Sequence, residues 1–265
     1  MSLEHSSPDL SEFEKFKFEE EEEPKQKEVV HLPKPEKEYV GVEVEDMEFY
    51  LKSLIFQLKD KIDSGQYKFL IGDDSSGRLP ALALKKVFDH VYTKHGYEKP
   101  PLKFFAGAKD TLTTEQRMKN YNEVTAEAER LFPEGGTALL VTEYIRTGGG
   151  MKTMVEGLKS AGIDLEVASM ALLERNQQKI DQNVHAPIYY GAHEKDAPKI
   201  YGRYDLGGVR KDKQNPGAPH AKRFTRPDGT FENVKKVRED VNDLADYLIS
   251  YYDTLDERRA KSATA

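Results

Sequence analysis

One stretch of the chain combines a hydroxyl, a carboxylate and consecutive glycines, a set of groups that suits a phosphorylated sugar. The apolar run Thr137–Val141 is typical of a buried strand, and it leads into Thr142 and Glu143 and then into Gly148–Gly150. Glycines allow close approach of the backbone to an anion, and the free amides of a helix start favour negative charge. Glu143 can accept hydrogen bonds from sugar hydroxyls. The pattern therefore predicts a strand, a phosphate-binding turn and a helix.

A second polar turn with the same construction lies earlier in the chain. The segment Tyr67–Ile71 is typical of a short strand, and helical spacing begins near Leu79. The residues between them form a polar, glycine-containing turn, which includes Asp73, Asp74, Ser75, Ser76, Gly77 and Arg78. An ordinary capped helix start beside a solvated turn is the alternative interpretation. Because the carboxyl ends of parallel strands meet at one edge of a sheet, we expect both turns to lie together.

Alternating strand and helix patterns position these two turns. The predicted strands are Tyr67–Ile71, Leu102–Ala106, Thr137–Val141, Leu165–Leu172 and Pro187–Tyr190. The predicted helices run from Met47 to Ile62, from Arg78 to Lys94, from Thr113 to Leu131, from Met151 to Ala161 and from Glu232 to Arg259. This alternation predicts an α/β fold with an open, mostly parallel sheet flanked by helices.

Charge and composition divide the chain into four segments. Residues 1–45 carry a charge of −8, more than the whole net charge of −7, and their glutamate block Glu19–Glu23 with nearby prolines predicts a disordered acidic tail. Within this tail, Val29-Val30 and Tyr39–Val44 form either an edge strand or a loosely packed segment. Residues 46–190 form the predicted core. Residues 191–231 form a basic, Gly/Pro-rich loop or hood, and residues 232–265 form a C-terminal helix and tail.

The first of the two turns also resembles a known family motif. Val141–Gly150 resembles the phosphoribosyl-pyrophosphate (PRPP) motif of type I phosphoribosyltransferases, which runs four apolar residues, two acids, two apolar residues and Thr-Thr-Gly-Gly-Thr. Glu143 matches the second acid, whereas Thr142 stands where the first acid belongs. The residues that match the final five positions are Arg146, Thr147, Gly148, Gly149 and Gly150.

This resemblance implies a role for each of the candidate residues. Glu143, helped by Thr142, would hold the ribose and count as the catalytic pair, and Arg146–Gly150 would hold the 5′-phosphate. The earlier turn would hold pyrophosphate through Ser75, Ser76, Gly77 and Arg78. Asp73 and Asp74 would hold Mg²⁺, which prefers a few carboxylates together with phosphate oxygens. The implied reaction transfers phosphoribosyl from PRPP to a nitrogenous base.

Three functions remain open at this point. An active phosphoribosyltransferase is favoured by the intact glycine turn and the acidic, arginine-containing loop. A catalytically silent PRPP- or nucleotide-binding regulatory protein, acting on RNA through its basic loop, is favoured by the missing first acid. An α/β scaffold that binds partners through its acidic tail is the third. The basic loop has few aromatic residues for base stacking, which weakens the case for nucleic acid.

Composition excludes several other classes of function. The chain has no cysteine, so disulfides and thiolate chemistry are excluded. Neither a serine-hydrolase elbow nor a P-loop sequence occurs, and the histidines lack metal-ligand spacing. Without a membrane-length apolar run or a signal-peptide pattern, the sequence predicts a soluble, cytoplasmic protein. We also expect a homodimer.

Overall fold

The computed structural model describes residues 39, 42–74, 76–108, 111–173, 176–192, 204–210, 212, 214–215, 217–224 and 232–263. The main sheet consists of β1 Phe69–Asp73, β2 Leu102–Phe105, β3 Gly136–Ile145, β4 Ile163–Leu172 and β5 Ile188–Ala192. The helices of this part of the chain are α1 Val42–Asp63, α2 Arg78–His95, α3 Thr114–Leu131, α4 Gly149–Ser160, α5 Gln177–Asn183, α6 Tyr204–Gly207 and α7 Glu232–Ala263. A short antiparallel pair joins β6 Val209–Arg210 to β7 Lys222–Arg223.

The five strands of the main sheet are all parallel and lie in the order β2-β1-β3-β4-β5. This confirms the predicted open, parallel α/β sheet flanked by helices. The chain moves from β1 to β2 on one side and then crosses back to β3 on the other side of β1. The reversal creates a topological switch point between β1 and β3, where open α/β sheets commonly bind ligands beyond the carboxyl ends of their strands.

The helices form two groups, in which α1, α2 and α7 pack on one another and α3 packs on α4. Ala138–Val141 in the central strand are fully buried, as expected for a parallel strand covered on both faces. The start of α3 carries a capping box, in which Thr113 and Gln116 bond each other's backbone amides. The predicted apolar stripe of α7, which runs from Val237 through Leu248 to Tyr252, is buried as expected.

Several predicted boundaries are wrong, and the first of these is the start of α1. The helix begins at Val42 rather than near Asp46, so Val42–Val44 form neither an edge strand nor a loose segment. Val44, Met47 and Leu51 are buried at helical spacing along one face, so the helical pattern extends into this segment. Val29-Val30 and the rest of the acidic tail up to residue 38 lie outside the described residues.

The strand preceding the glycine turn is also longer than predicted. β3 continues through Thr142 and Glu143 to Ile145, because this end of the strand still pairs with β4 in the register Thr142↔Ser169 and Ile145↔Leu172. β1 is shifted two residues later than predicted, so that Asp73 is its last residue. The sequence pattern missed α5, α6 and the β6–β7 pair, which are too short for a clear periodicity.

Charged side chains are buried where α1 packs on α7, in a region that we call the lysine clamp. Lys59 of α1 is only 1% exposed, forms ion pairs with Asp63 (2.8 Å) and Asp256, and lies 4.1 Å from the centre of the Tyr252 ring. Lys52, two turns earlier on α1, bonds Glu48 at 2.8 Å and the Tyr247 hydroxyl at 2.7 Å. The clamp thus surrounds each buried ammonium group with acceptors.

Candidate functional site

The earlier of the two predicted turns packs against the carboxyl half of β3, at the switch point between β1 and β3. These strands pair in the register Gly72↔Val141, which brings the residues that follow them side by side. The Ser76 and Thr142 hydroxyl oxygens are 3.2 Å apart. A Cβ added to Gly77 would overlap the backbone carbonyl oxygen of Val141, so only glycine allows the loop to approach the strand this closely. We call this place, lined by Asp73, Ser76 and Thr142, the switch-point crevice.

Asp73 is buried in the crevice with half of its carboxylate satisfied. Its Oδ2 accepts a hydrogen bond from the Ser76 hydroxyl at 2.7 Å and a longer one from the Thr142 hydroxyl at 3.5 Å. Its Oδ1 is also buried and accepts no hydrogen bond from any described residue. Buried polar atoms are nearly always hydrogen-bonded, so this oxygen is open to a donor from a ligand, an ion or a water.

The neighbouring Asp74 is fully occupied by the protein itself. Its Oδ1 pairs with the Arg78 guanidinium, and its Oδ2 accepts a hydrogen bond from the Ala221 amide at 2.6 Å. The Arg78 guanidinium also lies 4.2 Å from the centre of the Phe104 ring. The structure therefore places Arg78 beside the crevice, held by Asp74 and Phe104. Ser75, the remaining predicted member of this turn, lies outside the described residues.

The glycine turn forms the start of α4, as its sequence predicts. Gly148 caps the helix with φ of +73°, a left-handed conformation that favours glycine, and a Cβ there would lie 2.7 Å from Val184 Cγ2. The cap has no side-chain hydrogen bond. The Gly149 amide donates a long hydrogen bond to the Thr147 hydroxyl at 3.4 Å, and the positive dipole end of the helix favours an anion at this turn. Thr147, Gly149 and Gly150 belong to the same turn, and Arg146 before them is exposed.

Two asparagines hold this turn in place. Asn176 Nδ2 donates to the Arg146 carbonyl at 2.8 Å, and Asn183 Nδ2 donates to the Thr147 carbonyl at 2.8 Å. Asn183 ends α5, a helix too short to predict. The conformation of the glycine turn therefore depends on contacts from residues about 30 positions away.

Glu143 is 2% exposed and Thr142 is 1% exposed, so both predicted ribose-binding residues are buried at the carboxyl half of β3. They are consecutive strand residues, so their side chains point to opposite faces of the sheet. Thr142 shares the Asp73 side of the strand, as its contacts show. The structure therefore brings Thr142 together with Asp73 and Ser76. The side chain of Glu143, the next residue along β3, lies on the other face of the sheet.

A segment of the predicted hood crosses this edge of the sheet. We call residues 217–223 the strap. The Ala106 amide donates to the Pro219 carbonyl at 2.6 Å, and the His220 ring nitrogens lie 3.0 Å from the Phe104 carbonyl oxygen and 2.5 Å from a Glu127 carboxylate oxygen. Together with the bond from Ala221 to Asp74, these contacts fix the strap over the ends of β1 and β2.

The buried amide of Asn120 joins the strap to the glycine turn's helix. Its Nδ2 donates to the Ala106 carbonyl at 2.9 Å and the Gly217 carbonyl at 3.2 Å. Its Oδ1 accepts from the Thr153 hydroxyl at 2.7 Å, and Thr153 belongs to the first half of α4. Asn120 was not a sequence candidate, because its partners are distant in the chain.

A cleft of about 1060 Å³ extends from the glycine turn along α3, α4 and α5. Thr147 and Gly149 line one part of it. Its charged lining consists of Arg117, Lys152, Lys159, Lys179 and the single acid Glu156. The excess of cations favours anionic ligands in this cleft.

The donor set for a metal ion is small. Among the described residues, no group of three or more histidine, aspartate and glutamate side chains is placed to bind a metal. Asp73 alone of the two predicted metal ligands retains a carboxylate oxygen without a hydrogen bond from the described residues. This fits Mg²⁺ held mainly by phosphate oxygens and water, for which one protein carboxylate is sufficient.

None of the helices in the described part of the chain carries an apolar stretch that would span a lipid bilayer.

Comparisons with known proteins give distant similarities in structure. No family model and no curated protein matches the sequence. A crystal structure of adenine phosphoribosyltransferase is 15% identical, covers 54% of this chain and 77% of its own, and superposes with a TM-score of 0.36. The Thermus thermophilus protein TT1426 is 14% identical, covers 60% of this chain and 86% of its own, and has a TM-score of 0.35. Similarities this distant carry no argument, and the architecture rests on the strands and helices themselves.

Proposed function

We propose that the chain binds PRPP with Mg²⁺ and transfers the phosphoribosyl group to a nitrogenous base, with release of pyrophosphate. The observation that supports this proposal is the close packing of the earlier turn on β3, the strand that leads into the glycine turn: Ser76 reaches Thr142 and Gly77 packs on Val141. One turn offers helix amides to a phosphate, and the other offers a carboxylate and an arginine. Between them, the crevice lies at the switch point of the sheet.

Each end of the substrate has its own residues in this proposal. Arg146–Gly150 bind the 5′-phosphate, Thr142 and Glu143 bind the ribose, and the turn from Ser75 to Arg78 binds pyrophosphate. Asp73 and Asp74 are the candidate contacts for Mg²⁺, with Asp73 the better placed because both oxygens of Asp74 already have partners. When bound, Mg²⁺ supplies positive charge beside the pyrophosphate leaving group.

The chain's own residues then accelerate the displacement at ribose C1 mainly by positioning. The bond from C1 to a nitrogen of the base forms as the bond from C1 to the pyrophosphate oxygen breaks. Binding the 5′-phosphate and the pyrophosphate at fixed positions orients ribose C1 for attack by the base opposite the leaving pyrophosphate oxygen. Buried carboxylates near the sugar stabilise the positive charge that develops on the ribose ring. In this proposal the strap, which crosses the same edge at Asp74, limits the access of water to the reacting groups.

The second candidate is a catalytically silent regulatory protein that binds PRPP or another nucleotide. The cationic cleft favours it, because this cleft continues beyond Thr147 and Gly149 and would accommodate an anion longer than one phosphate. Thr142 in place of an acid also favours it. We also propose that the basic 201–226 region binds RNA, which an RNA titration tests. A homodimer is proposed as well, and sedimentation velocity tests it. The proposed location is the cytoplasm.

One assay separates the two candidates. The chain is incubated with PRPP, Mg²⁺ and each of a panel of nucleobases, and pyrophosphate is measured. Release that depends on one base supports the enzyme. Calorimetric binding of PRPP without release supports the regulatory protein. Absence of both binding and release overturns both proposals.

Glu143→Gln tests the assignment of the ribose site. The substitution removes a buried charge next to the sugar, and we expect PRPP to bind at least about tenfold more weakly, as for the loss of a charged hydrogen bond. Glu134→Gln, an exposed glutamate before β3, is the matched control and should bind as the unmodified chain does. Equal binding by both variants would contradict the assignment of Glu143.

A further inference from the structure

We propose that Asp73 supplies, from β1, the ribose-binding carboxylate that the motif on β3 lacks at Thr142. The inference rests on the proposed function and deepens it, because it assigns Asp73 to the sugar hydroxyls rather than to the metal alone. It concerns one side chain whose position, burial and hydrogen bonds are all given by the structure.

The register of the sheet brings the two positions together. Gly72 pairs with Val141, so Asp73 and Thr142 are the next residue on each strand. Residues in register on neighbouring strands project to the same face of the sheet. The Thr142 hydroxyl accordingly lies 3.5 Å from Asp73 Oδ2 and 3.2 Å from the Ser76 hydroxyl. A carboxylate on β1 therefore occupies the space next to the position where the motif expects one on β3.

Burial makes this carboxylate unusual. Asp73 is 9% exposed and forms no ion pair with any described lysine or arginine. Its Oδ2 is satisfied by two hydroxyls, while its buried Oδ1 has no donor among the described residues. Burying a carboxylate oxygen without a donor is costly, and the cost falls when a ligand brings one.

The chemistry of the missing donor follows from the surroundings. Asp73 Oδ1 needs a hydrogen-bond donor, and a neutral donor satisfies it without bringing a second charge into a buried place. A sugar hydroxyl is such a group, and carboxylates at the carboxyl edge of α/β sheets commonly accept hydrogen bonds from ribose hydroxyls. Ser76 and Thr142 orient the Asp73 carboxylate, and they are positioning residues in this assignment.

Two simple probes test the inference without a metal ion and without turnover. Ribose 5-phosphate and 2-deoxyribose 5-phosphate share the phosphate and differ by one hydroxyl, and their binding is measured by calorimetry. We expect the unmodified chain to prefer ribose 5-phosphate by about tenfold, as for one hydrogen bond to a charged group. Asp73→Asn should reduce this preference to less than about twofold. Asp164→Asn, an exposed aspartate at the opposite end of the sheet, is the matched control and should keep the preference.

Returning the acid to β3 is the decisive comparison. In the double variant Asp73→Asn with Thr142→Asp, the carboxylate moves across the crevice, and the preference for ribose 5-phosphate should recover to within about threefold of its original value. A double variant without recovery would overturn the idea that the two positions are equivalent. Should Asp73→Asn not fold, as judged by circular dichroism, the smaller neutral variant Asp73→Ser replaces it in both measurements.

The outcomes separate this inference from the proposed function. If the unmodified chain binds neither sugar phosphate, the inference is overturned, and the assay with PRPP decides the proposed function separately. If it binds ribose 5-phosphate and Asp73→Asn keeps the full preference, the inference alone is overturned. If Asp73→Asn weakens both sugar phosphates equally, Asp73 does not contact the hydroxyl, and the inference is overturned in that case too.

Discussion

The lysine clamp and the switch-point crevice both bury charged side chains, but they satisfy them to different degrees. In the clamp, Lys59 has two carboxylates and an aromatic ring around one ammonium group. In the crevice, Asp73 has two hydroxyls on one oxygen and no donor from the described residues on the other. A matched charge fixes how two helices align, whereas an unmatched charge is retained at the expense of stability. This difference supports a structural role for the clamp and agrees with the proposal that the crevice binds a ligand.

The clamp side of this comparison is tested by Lys59→Ala. Its removal leaves Asp63 and Asp256 without their shared cation and opens a gap between α1 and α7. We expect a loss of about 2–3 kcal/mol in the free energy of unfolding, somewhat below the usual value for a buried pair because both carboxylates are partly exposed. Urea unfolding measures it. Lys86→Ala, which removes a more exposed lysine with a 3.9 Å pair to Asp246, should change stability by less than about 0.5 kcal/mol.

The narrowness of the crevice is tested by Gly77→Ala. Gly77 has an ordinary helical backbone, with φ of −85°, so the effect would come from overlap with the Val141 carbonyl rather than from strain. We expect a loss of about 2 kcal/mol in stability together with weaker sugar-phosphate binding. Gly207→Ala is the control, because a Cβ there meets no atom within 4 Å. Similar behaviour of the two variants would show that the loop yields easily and that the crevice is not tightly fixed.

Two aspartate-to-asparagine changes compare the regions most directly. Asp63→Asn in the clamp removes a charge that Lys59 needs, and we expect it to lower the free energy of unfolding by about 1 kcal/mol. Asp73→Asn in the crevice keeps an acceptor for Ser76 and Thr142 and removes an unmatched charge. Its stability should therefore equal or exceed that of the unmodified chain, within about 1 kcal/mol. Thermal unfolding of both variants measures these changes in stability. A larger loss of stability from Asp73→Asn than from Asp63→Asn would contradict the distinction between the two regions.

The smallest expected effect is the loss of the stability contributed by Asp256, at the α7 side of the clamp, at acid pH. Burial disfavours the ionised form of Asp256, but hydrogen bonds from Lys59 and Lys94 outweigh it and lower the pKa of Asp256 below its ordinary value. The folded state thus releases this proton more readily than the unfolded state. The resulting stability is present above about pH 4 and is lost as the pH falls through the folded pKa.

Measuring the free energy of unfolding between about pH 3 and pH 6 tests this pH dependence. The difference between the unmodified chain and Asp256→Asn should narrow as the pH falls. Asp164→Asn, whose side chain is exposed outside the clamp, provides the baseline for loss of one aspartate. A difference that stays constant across this range would mean that the lysines do not act on Asp256.

The sequence predicted the architecture better than it predicted the details of the site. Buried apolar runs such as Thr137–Val141 and helical stripes such as that of α7 are local patterns, and they located the parallel sheet and its helices. Parallel topology then implied that the turns at Ser76 and Gly148 share an edge. The boundaries failed where tertiary contacts overrode local pattern, as in β3, where pairing with β4 carries the strand through Thr142 and Glu143.

Sequence patterns could not predict the contacts that complete the site, because the partners are distant in the chain. Asp74 is occupied by Ala221, which is 147 residues away, and the glycine turn is fixed by Asn176 and Asn183 from the segment after β4. Nothing in the local sequence distinguishes Asp73 from Asp74. Only their partners in the described part of the folded chain show that one is engaged by the protein and that the other has an oxygen left for a ligand.

Asn120 has a consequence for how the site can open. A single amide bonds the end of β2 through Ala106, the strap through Gly217 and the helix after the glycine turn through Thr153. Lifting the strap therefore pulls on the side chain that also holds Thr153 at the start of that helix. The strap and the helix are linked through this one buried amide, and a substitution of Asn120 would loosen both at once.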